Sequence, residues 1–247
     1  MPDLQTHSPA MGQKAGEKWT AAVDLQPTIP KSDRLLAPPV AIAAFDFDGT
    51  LTRGDTLIPF LARGLGWPRL LLALLRCSPW LAGYALRLVP NDVAKARLLR
   101  ATLGGRTLAQ VQDWTTNWLA RDFPGQLQDW TMARLAWHQQ AGHCCVLVSA
   151  SPDIYLERVA SQLGFDALIC TEMKVEGDRL AGRMRTPNCH GEQKVLRLQA
   201  WLSARFGAEP LNAITLYAYG DTAGDKPMLR LARHAWYRGR PWREASR

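Results

Sequence analysis

Several features that would indicate other kinds of protein are missing from this chain of 247 residues. It has no Gly-rich nucleotide loop, which disfavours a kinase, and no internal repeat. It has five cysteines, an odd number, and no C-x-x-C pair, so no disulfide framework is predicted. Two of them are adjacent, and on a strand they would point to opposite faces, where they cannot chelate one metal. We therefore expect core thiols of a cytoplasmic protein at Cys77, Cys144, Cys145, Cys170 and Cys189.

Positive charge is abundant but is not concentrated. The formal net charge is +8 at pH 7, yet Lys and Arg are scattered, with no tight basic block before residues 238–247. Nucleic-acid binding is therefore not predicted. A basic balance suits a phosphorylated metabolite or an anionic membrane surface as partner, and it is also typical of a solvated Arg-rich surface.

The chain divides into three parts. Residues 1–39 contain several prolines among polar residues, have no secretory pattern, and are predicted to be a flexible leader. Residues 55–141 show only helical patterns and are predicted to be a helical cap. Residues 40–54 and 142–247 form the core, in which strands alternate with helices. This alternation predicts an α/β fold, with a parallel sheet flanked by helices.

The predicted elements have these bounds. Cap helices are expected at 56–63, 68–77, 79–89, 91–103, 107–120 and 124–140, with Asn91 and Thr107 as N-caps. Core strands are expected at 40–47, 143–149, 167–171 and 214–219, and 176–178 is a turn between two short extended runs. Core helices are expected from Ser151, as the cap, to Gly164, and at 191–206 and 226–234.

The segment Asp46-Phe47-Asp48-Gly49-Thr50 follows the first apolar strand and carries the strongest chemical indication. Ligand sites of open α/β sheets lie outside the carboxyl ends of the strands. Two carboxylates there can hold Mg²⁺, and one of them can attack phosphorus. Gly49 leaves room for the turn, and Thr50 can donate its hydroxyl to a phosphoryl oxygen. The segment therefore predicts phosphoryl-transfer chemistry.

Three further pieces follow in order. Ser149-Ala150-Ser151 joins an apolar strand to a helix, and a hydroxyl beside a helix N-terminus suits a phosphate oxygen. Lys194, on the first turns of a helix, can neutralise a phosphoryl oxygen and the carboxylate that attacks it. Gly220-Asp221 ends another apolar strand, so that Asp221 can supply a Mg²⁺ ligand, while Asp225 can hold either a metal-bound water or Lys194.

These residues, in this order, resemble the haloacid dehalogenase superfamily of aspartate-dependent phosphohydrolases. The pattern is Asp-x-Asp-Gly-Thr, then Ser or Thr, then Lys, then Gly-Asp-x-x-x-Asp, and it covers about 190 residues of the chain. The 102 residues between Asp46 and Ser149, read as a helical cap, resemble the phosphoserine-phosphatase-like branch, subfamily IB. The resemblance implies a Rossmann-like core sheet with an inserted all-helical cap.

The resemblance also implies roles for individual residues. Asp46 would be the nucleophile and Asp48 the general acid and base. Ser149, Ala150 and Lys194 would bind the transferring phosphoryl group, and Mg²⁺ would be bound by Asp46, the backbone carbonyl of Asp48, and Asp221. Gly220 and Asp225 would support the site. The implied activity is Mg²⁺-dependent hydrolysis of a phosphomonoester through an aspartyl-phosphate, and a non-catalytic binding protein on the same fold is the remote alternative.

The substrate remains open between two classes. Phosphoserine phosphatases have an acidic residue nine positions after the nucleophile to bind the substrate amine, which implies this role for Asp55, although glutamate is usual there. Gly224 stands where they have asparagine. The cap is also unusually apolar, since Leu70 to Leu86 holds one charge, although this run is shorter than a membrane span of about 20 residues. It is predicted to be the cap's own core or, alternatively, an Arg-flanked surface on anionic lipid at the inner membrane face. The second interpretation suits a phosphatidylglycerophosphate-type substrate.

Overall fold

A six-stranded sheet forms the centre of the computed structural model, which describes residues 40–207 and 214–244. Its strands are β1 Val40–Phe45, β2 Cys144–Pro152, β3 Ala167–Thr171, β6 Ile214–Gly220, β7 His234–Tyr237 and β8 Arg240–Trp242. The spatial order is β3-β2-β1-β6-β7-β8, and all neighbours pair in parallel except the last two. The predicted parallel α/β sheet is therefore confirmed, and the predicted leader lies outside the described residues.

Both faces of the sheet are covered, as an apolar parallel strand requires. Ile42, Ala43 and Phe45 of β1 are fully buried, and alternate residues belong to separate cores on the two faces. Cys144 and Cys145 accordingly lie in different cores. All five cysteines are free and buried, as predicted.

The helices and a small hairpin complete the molecule. The helices are α1 Leu57–Leu65, α2 Trp67–Ala85, α3 Asn91–Leu103, α4 Leu108–Arg121, α5 Asp129–Gln140, α6 Asp153–Gln162, α7 Glu192–Phe206 and α8 Lys226–Leu231. Strands β4 Met173–Glu176 and β5 Arg179–Met184 form an antiparallel hairpin around the predicted turn. Helices α5 to α8 pack on the sheet. Helix α1 packs on α2 and α4, α2 packs on α3, and α4 also packs on α6.

The hairpin β4–β5 also contacts the cap. Its strand β5 packs on α3, and Leu180 exchanges backbone hydrogen bonds with Gly105 and Arg106 in the connection between α3 and α4. The connection then enters α4 through Thr107, whose hydroxyl and Gln110 form the capping box at the predicted N-cap. The hairpin therefore ties helices of the predicted cap to a core segment distant in sequence.

Two helix predictions in the cap region were wrong. Helix α2 runs through Pro79 instead of breaking there, because Pro79 lies on the exposed side, where water can solvate the carbonyl that loses its donor. The expected helix 124–140 is a short 3₁₀ turn followed by α5, because Leu127 pairs with Thr52 and holds the intervening chain extended. Asn91 is the first residue of α3 and makes no capping bond, because Pro90 occupies the cap position.

The core boundaries also required correction. Strand β2 extends to Pro152 and α6 begins at Asp153, so Ser151 is not a helix cap. Helix α8 ends at Leu231, and the chain continues into β7 and β8. The turn that joins these two strands consists of Arg238 and Gly239, both with positive φ. These two short strands were missed. Within the described residues, no helix has the length and apolarity needed to cross a membrane.

Candidate active site

The first motif lies where the neighbouring strands β1 and β6 end. Asp46 donates its backbone N–H to the carbonyl of Tyr219 at 3.0 Å, and the chain then turns over the carbonyl of Phe47. Gly49 has a φ of +79°, and a Cβ on it would lie 2.3 Å from Oδ2 of Asp221. Glycine is therefore required here both by the backbone conformation and by the close approach of the two motifs.

Lys194 links the nucleophile candidate to the fourth motif. Its ammonium donates to Oδ1 of Asp46 at 2.5 Å, to Oδ1 of Asp225 at 2.7 Å and to the carbonyl of Val148 at 3.0 Å. Burial opposes its charge, but the two carboxylates hold its pKa above the ordinary value. Because all three donor positions are used and the side chain is buried, Lys194 is fixed as a cation beside Asp46.

Asp225 is a buried counter-ion of Lys194. Its Oδ2 accepts from the hydroxyl and N–H of Thr222 and from the N–H of Asp221. Burial opposes ionisation, but Lys194 and these donors keep its pKa below the ordinary value. Gly220 allows the approach, since a Cβ there would lie 2.5 Å from the Cβ of Asp225. Of the two roles left open for Asp225, the geometry shows the bond to Lys194.

Thr50 joins the two carboxylates that face each other. Its Oγ1 lies 3.0 Å from Oδ2 of Asp46 and 3.1 Å from Oδ1 of Asp221. Burial, opposed by Lys194, raises the pKa of Asp46, and burial together with the Asp225 charge raises the pKa of Asp221. Both shifts have the sign expected for carboxylates that lack a counter-charge on their shared side.

This arrangement fits a divalent cation. Carboxylate oxygens of Asp46, Asp221 and Asp225 lie within 4.8 Å of one another, and such hard oxygen donors suit Mg²⁺. Asp225 has one oxygen bonded to Lys194 and the other to three donors, whereas Asp46 and Asp221 share the single hydroxyl proton of Thr50 where they face each other. Asp46 and Asp221 are therefore the side chains best placed to bind the ion. Asp221 also lines a cavity of about 310 Å³, with Gln128 and Arg238 on its walls. The carboxylate of Asp48 is not part of this cluster.

Asp48 instead faces the cap. Its Oδ1 accepts from the N–H and the hydroxyl of Thr56, both at 2.7 Å, and its Oδ2 accepts from Oγ of Ser151 at 2.5 Å. Burial and the nearby charge of Asp55 raise its pKa. A carboxyl group whose pKa is raised and whose two oxygens are held in place is suited to donate and accept a proton. Thr56 and Ser151 were not predicted in this role.

The end of β2 supplies the second motif. Ser149 is buried, and its Oγ accepts from the N–H of Ser151 at 3.0 Å. The carbonyl of Ala150 accepts from Oγ1 of Thr171 at 2.6 Å and from the ammonium of Lys95. The structure thus places Ser149 and Ala150 beside Asp48 and Lys194, with the preceding carbonyl, that of Val148, bonded to Lys194.

Two charged residues of the cap region lie at this site. Asp55 is exposed, and its Oδ1 accepts from the first N–H groups of α1, at 3.0 Å from Leu57. Lys95 of α3 also donates to Oδ1 of Asn188 at 3.0 Å. Burial lowers its pKa to about 8, against the charges of Asp48 and Asp55, which raise it. Lys95 was not among the predicted site residues, although its being the only lysine of residues 55–141 is a signal for it.

Comparison with known proteins places these observations in a family. The model of haloacid dehalogenase-like hydrolases matches residues 43–230. Protein CicA of Caulobacter vibrioides is 35% identical over 198 residues, which cover 80% of this chain and 85% of CicA. The match to CicA is long enough to include most of the described core and cap.

Solved structures share the fold. A protein of unknown function from Bordetella pertussis Tohama I matches with a TM-score of 0.70 and 24% identity, over 79% of this chain and 88% of that one. A phospho-aspartyl intermediate analogue of phosphoserine phosphatase matches with a TM-score of 0.56 and 16% identity, over 79% and 85% of the two chains. At these identities the likeness concerns the arrangement of the elements.

Proposed function

The chain belongs to the haloacid dehalogenase-like hydrolase family, and we propose that it is a phosphatase that hydrolyses phosphomonoesters in two steps with Asp46 as nucleophile. The observation that carries the proposal is the buried ammonium of Lys194, 2.5 Å from Oδ1 of Asp46. The other oxygen of Asp46 lies beside Thr50, facing Asp221. This setting holds the carboxylate of Asp46 in a fixed direction, beside an ammonium and a hydroxyl that can attract phosphate oxygens.

In the first step a carboxylate oxygen of Asp46 attacks phosphorus as the bond to the leaving oxygen breaks. Asp48, as the acid, gives its proton to that oxygen. In the second step Asp48, as the base, takes a proton from water, which attacks the same phosphorus and releases phosphate from Asp46. Lys194 offsets the negative charge throughout. Mg²⁺, held by Asp46, Asp221 and the carbonyl of Asp48, would lower the repulsion between carboxylate and phosphate.

The charges under the cap favour a small zwitterionic leaving group. Asp55 and Lys95 have opposite charges and lie near Asp48, whose proton the leaving oxygen receives. An ammonium group on the substrate would approach Asp55, and a carboxylate would approach Lys95. Phosphoserine carries both groups, and it is our leading substrate.

A second candidate is a lipid head-group phosphate. It is favoured by one observation, the large exposed apolar side chains of α2, among them Trp67, Leu71 and Leu75. Assay of phosphoserine, phosphoethanolamine, sugar phosphates, nucleotides and phosphatidylglycerophosphate in mixed micelles separates the two substrate classes. Preference for the lipid substrate over every soluble one would replace phosphoserine as the leading candidate.

The nucleophile can be tested with p-nitrophenyl phosphate. Turnover should require Mg²⁺, and Asp46→Asn should abolish it, whereas Asp129→Asn, at an exposed carboxylate on α5, should leave it unchanged. Since p-nitrophenolate leaves without needing a proton, Asp48→Asn should still form the aspartyl-phosphate but hydrolyse it slowly. We expect a burst of one equivalent of p-nitrophenolate per enzyme in that variant. Normal turnover by Asp46→Asn would refute the assignment.

A further inference from the structure

The exposed side of α2 is apolar although the helix already buries another apolar side. Leu70, Ala73 and Cys77 face the protein, whereas Trp67, Leu71 and Leu75 are 59%, 58% and 70% exposed. At about 100° per residue, these three exposed side chains fall within about 80° of one another, and their centre lies about 130° around the helix from that of the buried set. A helix that already buries one apolar side rarely exposes a second apolar stripe to water, so this face indicates a partner.

The exposed apolar surface continues beyond the helix. We define the α2 face by its large exposed apolar residues and its exposed arginines. These are Trp67, Leu71, Leu72, Leu75, Tyr84, Leu86 and Leu88, with Arg69, Arg76 and Arg87. No protein segment among the described residues covers these apolar side chains.

The charge of this face has a single sign. No Asp or Glu occurs from residue 56 to residue 91. Arg63, at the end of α1, is paired with Asp122, but the three arginines of the α2 face have no ion pair with any described residue. On the helix, Arg69 and Arg76 lie about 20° apart, so they form one edge beside the apolar stripe. Apolar side chains bordered by arginines are complementary to a surface with apolar and anionic layers.

We infer that the α2 face docks on an anionic lipid bilayer. Leucines and tryptophan would insert at the boundary between acyl chains and head groups, while the arginines would pair with lipid phosphates. A second copy of the chain fits less well, because a twofold contact would bring arginines against arginines. Residues 1–39 are not complementary in charge to the arginines of the α2 face, because their acidic and basic residues are equal in number. The acidic ones are Asp3, Glu17, Asp24 and Asp33, and the basic ones are Lys14, Lys18, Lys31 and Arg34.

Sedimentation of the full chain with vesicles tests the inference. Binding should occur with phosphatidylglycerol mixed into phosphatidylcholine, should weaken at high salt, and should be much weaker with phosphatidylcholine alone. Arg69→Gln with Arg76→Gln should weaken it about 30-fold, from about 1 kcal/mol per arginine. Arg233→Gln with Arg243→Gln removes the same charge from exposed positions elsewhere and should change binding little.

The apolar contribution has its own matched pair of variants. Leu71→Ser with Leu75→Ser should weaken binding on the order of 100-fold, whereas Val175→Ser with Leu196→Ser, at exposed positions on β4 and α7, should not. Asp46→Asn should bind vesicles as the native enzyme does, which separates docking from catalysis. No binding to anionic vesicles, or equal loss in each control pair, would overturn the inference.

A fluorescent label can report what covers the face. All five native cysteines are buried, so Leu72→Cys should be labelled selectively with an environment-sensitive dye, with Leu196→Cys as control. Anionic vesicles should shift the emission of the label at position 72 to the blue and leave that at 196 unchanged. A blue shift that depends on protein concentration without vesicles would mean that a second copy covers the face. A blue shift already present at every concentration would mean that another segment of the same chain covers it. Both results would overturn the proposal.

Discussion

Lys194 donates to Oδ1 of Asp46 at 2.5 Å although the two are 148 positions apart in sequence. The same ammonium bonds to Asp225, so one buried cation lies between two buried carboxylates. Removing a single member of such a group leaves charge in the interior without compensation, which is costlier than removing a matched pair. Stability and catalysis therefore depend on this lysine in different ways.

Lys194→Met should affect both properties. We expect turnover to fall about 10² to 10³-fold, as for loss of one charge-stabilising donor, and the free energy of unfolding to fall by about 3 kcal/mol. Adding Asp225→Asn should restore part of the stability but none of the activity. Steady-state kinetics and urea unfolding measure the two effects. An active single variant, or equal recovery of both properties in the double variant, would contradict this interpretation.

Magnesium should stabilise the folded enzyme by relieving the repulsion between Asp46 and Asp221. At a concentration 100 times the dissociation constant, one bound ion contributes about 2.7 kcal/mol, which corresponds to a rise in Tm of about 5 to 10 °C. Asp221→Asn should lose most of this shift, and EDTA should reverse it. Asp129→Asn is the control at an exposed carboxylate. An unchanged shift in Asp221→Asn would place the ion elsewhere.

Much of this site could be predicted because parallel strands end at one edge of a sheet. An apolar run followed by charge predicted where Asp46 and Asp221 would lie, and strand pairing then brought β1 beside β6. The buried bond from Lys194 was one of two roles open to Asp225. Local pattern could not choose between them, because the choice depends on how α7 packs against the sheet.

Features set by packing between distant segments were missed. Ser151 precedes a proline, as a helix cap often does, but α6 begins only at Asp153. The hydroxyl of Ser151 bonds to Asp48 instead. Lys95 lies on α3, and its long side chain reaches the carbonyl of Ala150 in β2, a contact between segments 55 residues apart. The strands β7 and β8 lie in a segment for which a helix and a basic tail were predicted. β7 pairs with β6 across a long sequence separation, and among the described strands β8 pairs only with β7.

Ser151 should act by positioning Asp48. Ser151→Ala removes the donor to Oδ2 of Asp48, and we expect kcat for phosphoserine to fall about tenfold, a part of the usual contribution of general acid–base catalysis. Ser151→Thr keeps a hydroxyl and should restore most of the rate. The concentration of Mg²⁺ for half-maximal activity should stay constant, because Ser151 bonds to the carboxylate of Asp48, whereas the proposed ligand of the ion is the backbone carbonyl of Asp48. Equal loss in the alanine and threonine variants would indicate a steric role only.

Lys95 should recognise a carboxylate on the substrate. Lys95→Met should raise KM for phosphoserine about tenfold, which is typical of one partly exposed charged hydrogen bond, and should leave KM for phosphoethanolamine nearly unchanged. Arg100→Met removes an exposed charge from the same helix and is the control. If both substrates lose affinity equally, Lys95 holds the cap against the core through Ala150 instead of binding substrate.

His138 should make the fold sensitive to acid. Its Nε2 lies 2.9 Å from Oη of Tyr219 and its Nδ1 lies 2.7 Å from Nδ1 of His143, in a fully buried position. Burial, then the charges of His143 and Arg134, lowers its pKa from 6.5 to about 4. Between these pH values the unfolded chain holds more protons, so stability decreases as the pH falls through this range.

Lowering the pH from 7.5 to 5 should therefore cost about 2 kcal/mol through His138 alone. Urea unfolding of the native chain and of His138→Gln, which keeps an amide near Tyr219, should show a smaller pH dependence in the variant. His234→Gln, at an exposed histidine, should keep the native dependence. Parallel curves for the native chain and His138→Gln would mean that this histidine can be protonated inside the fold, and that the acid sensitivity arises elsewhere.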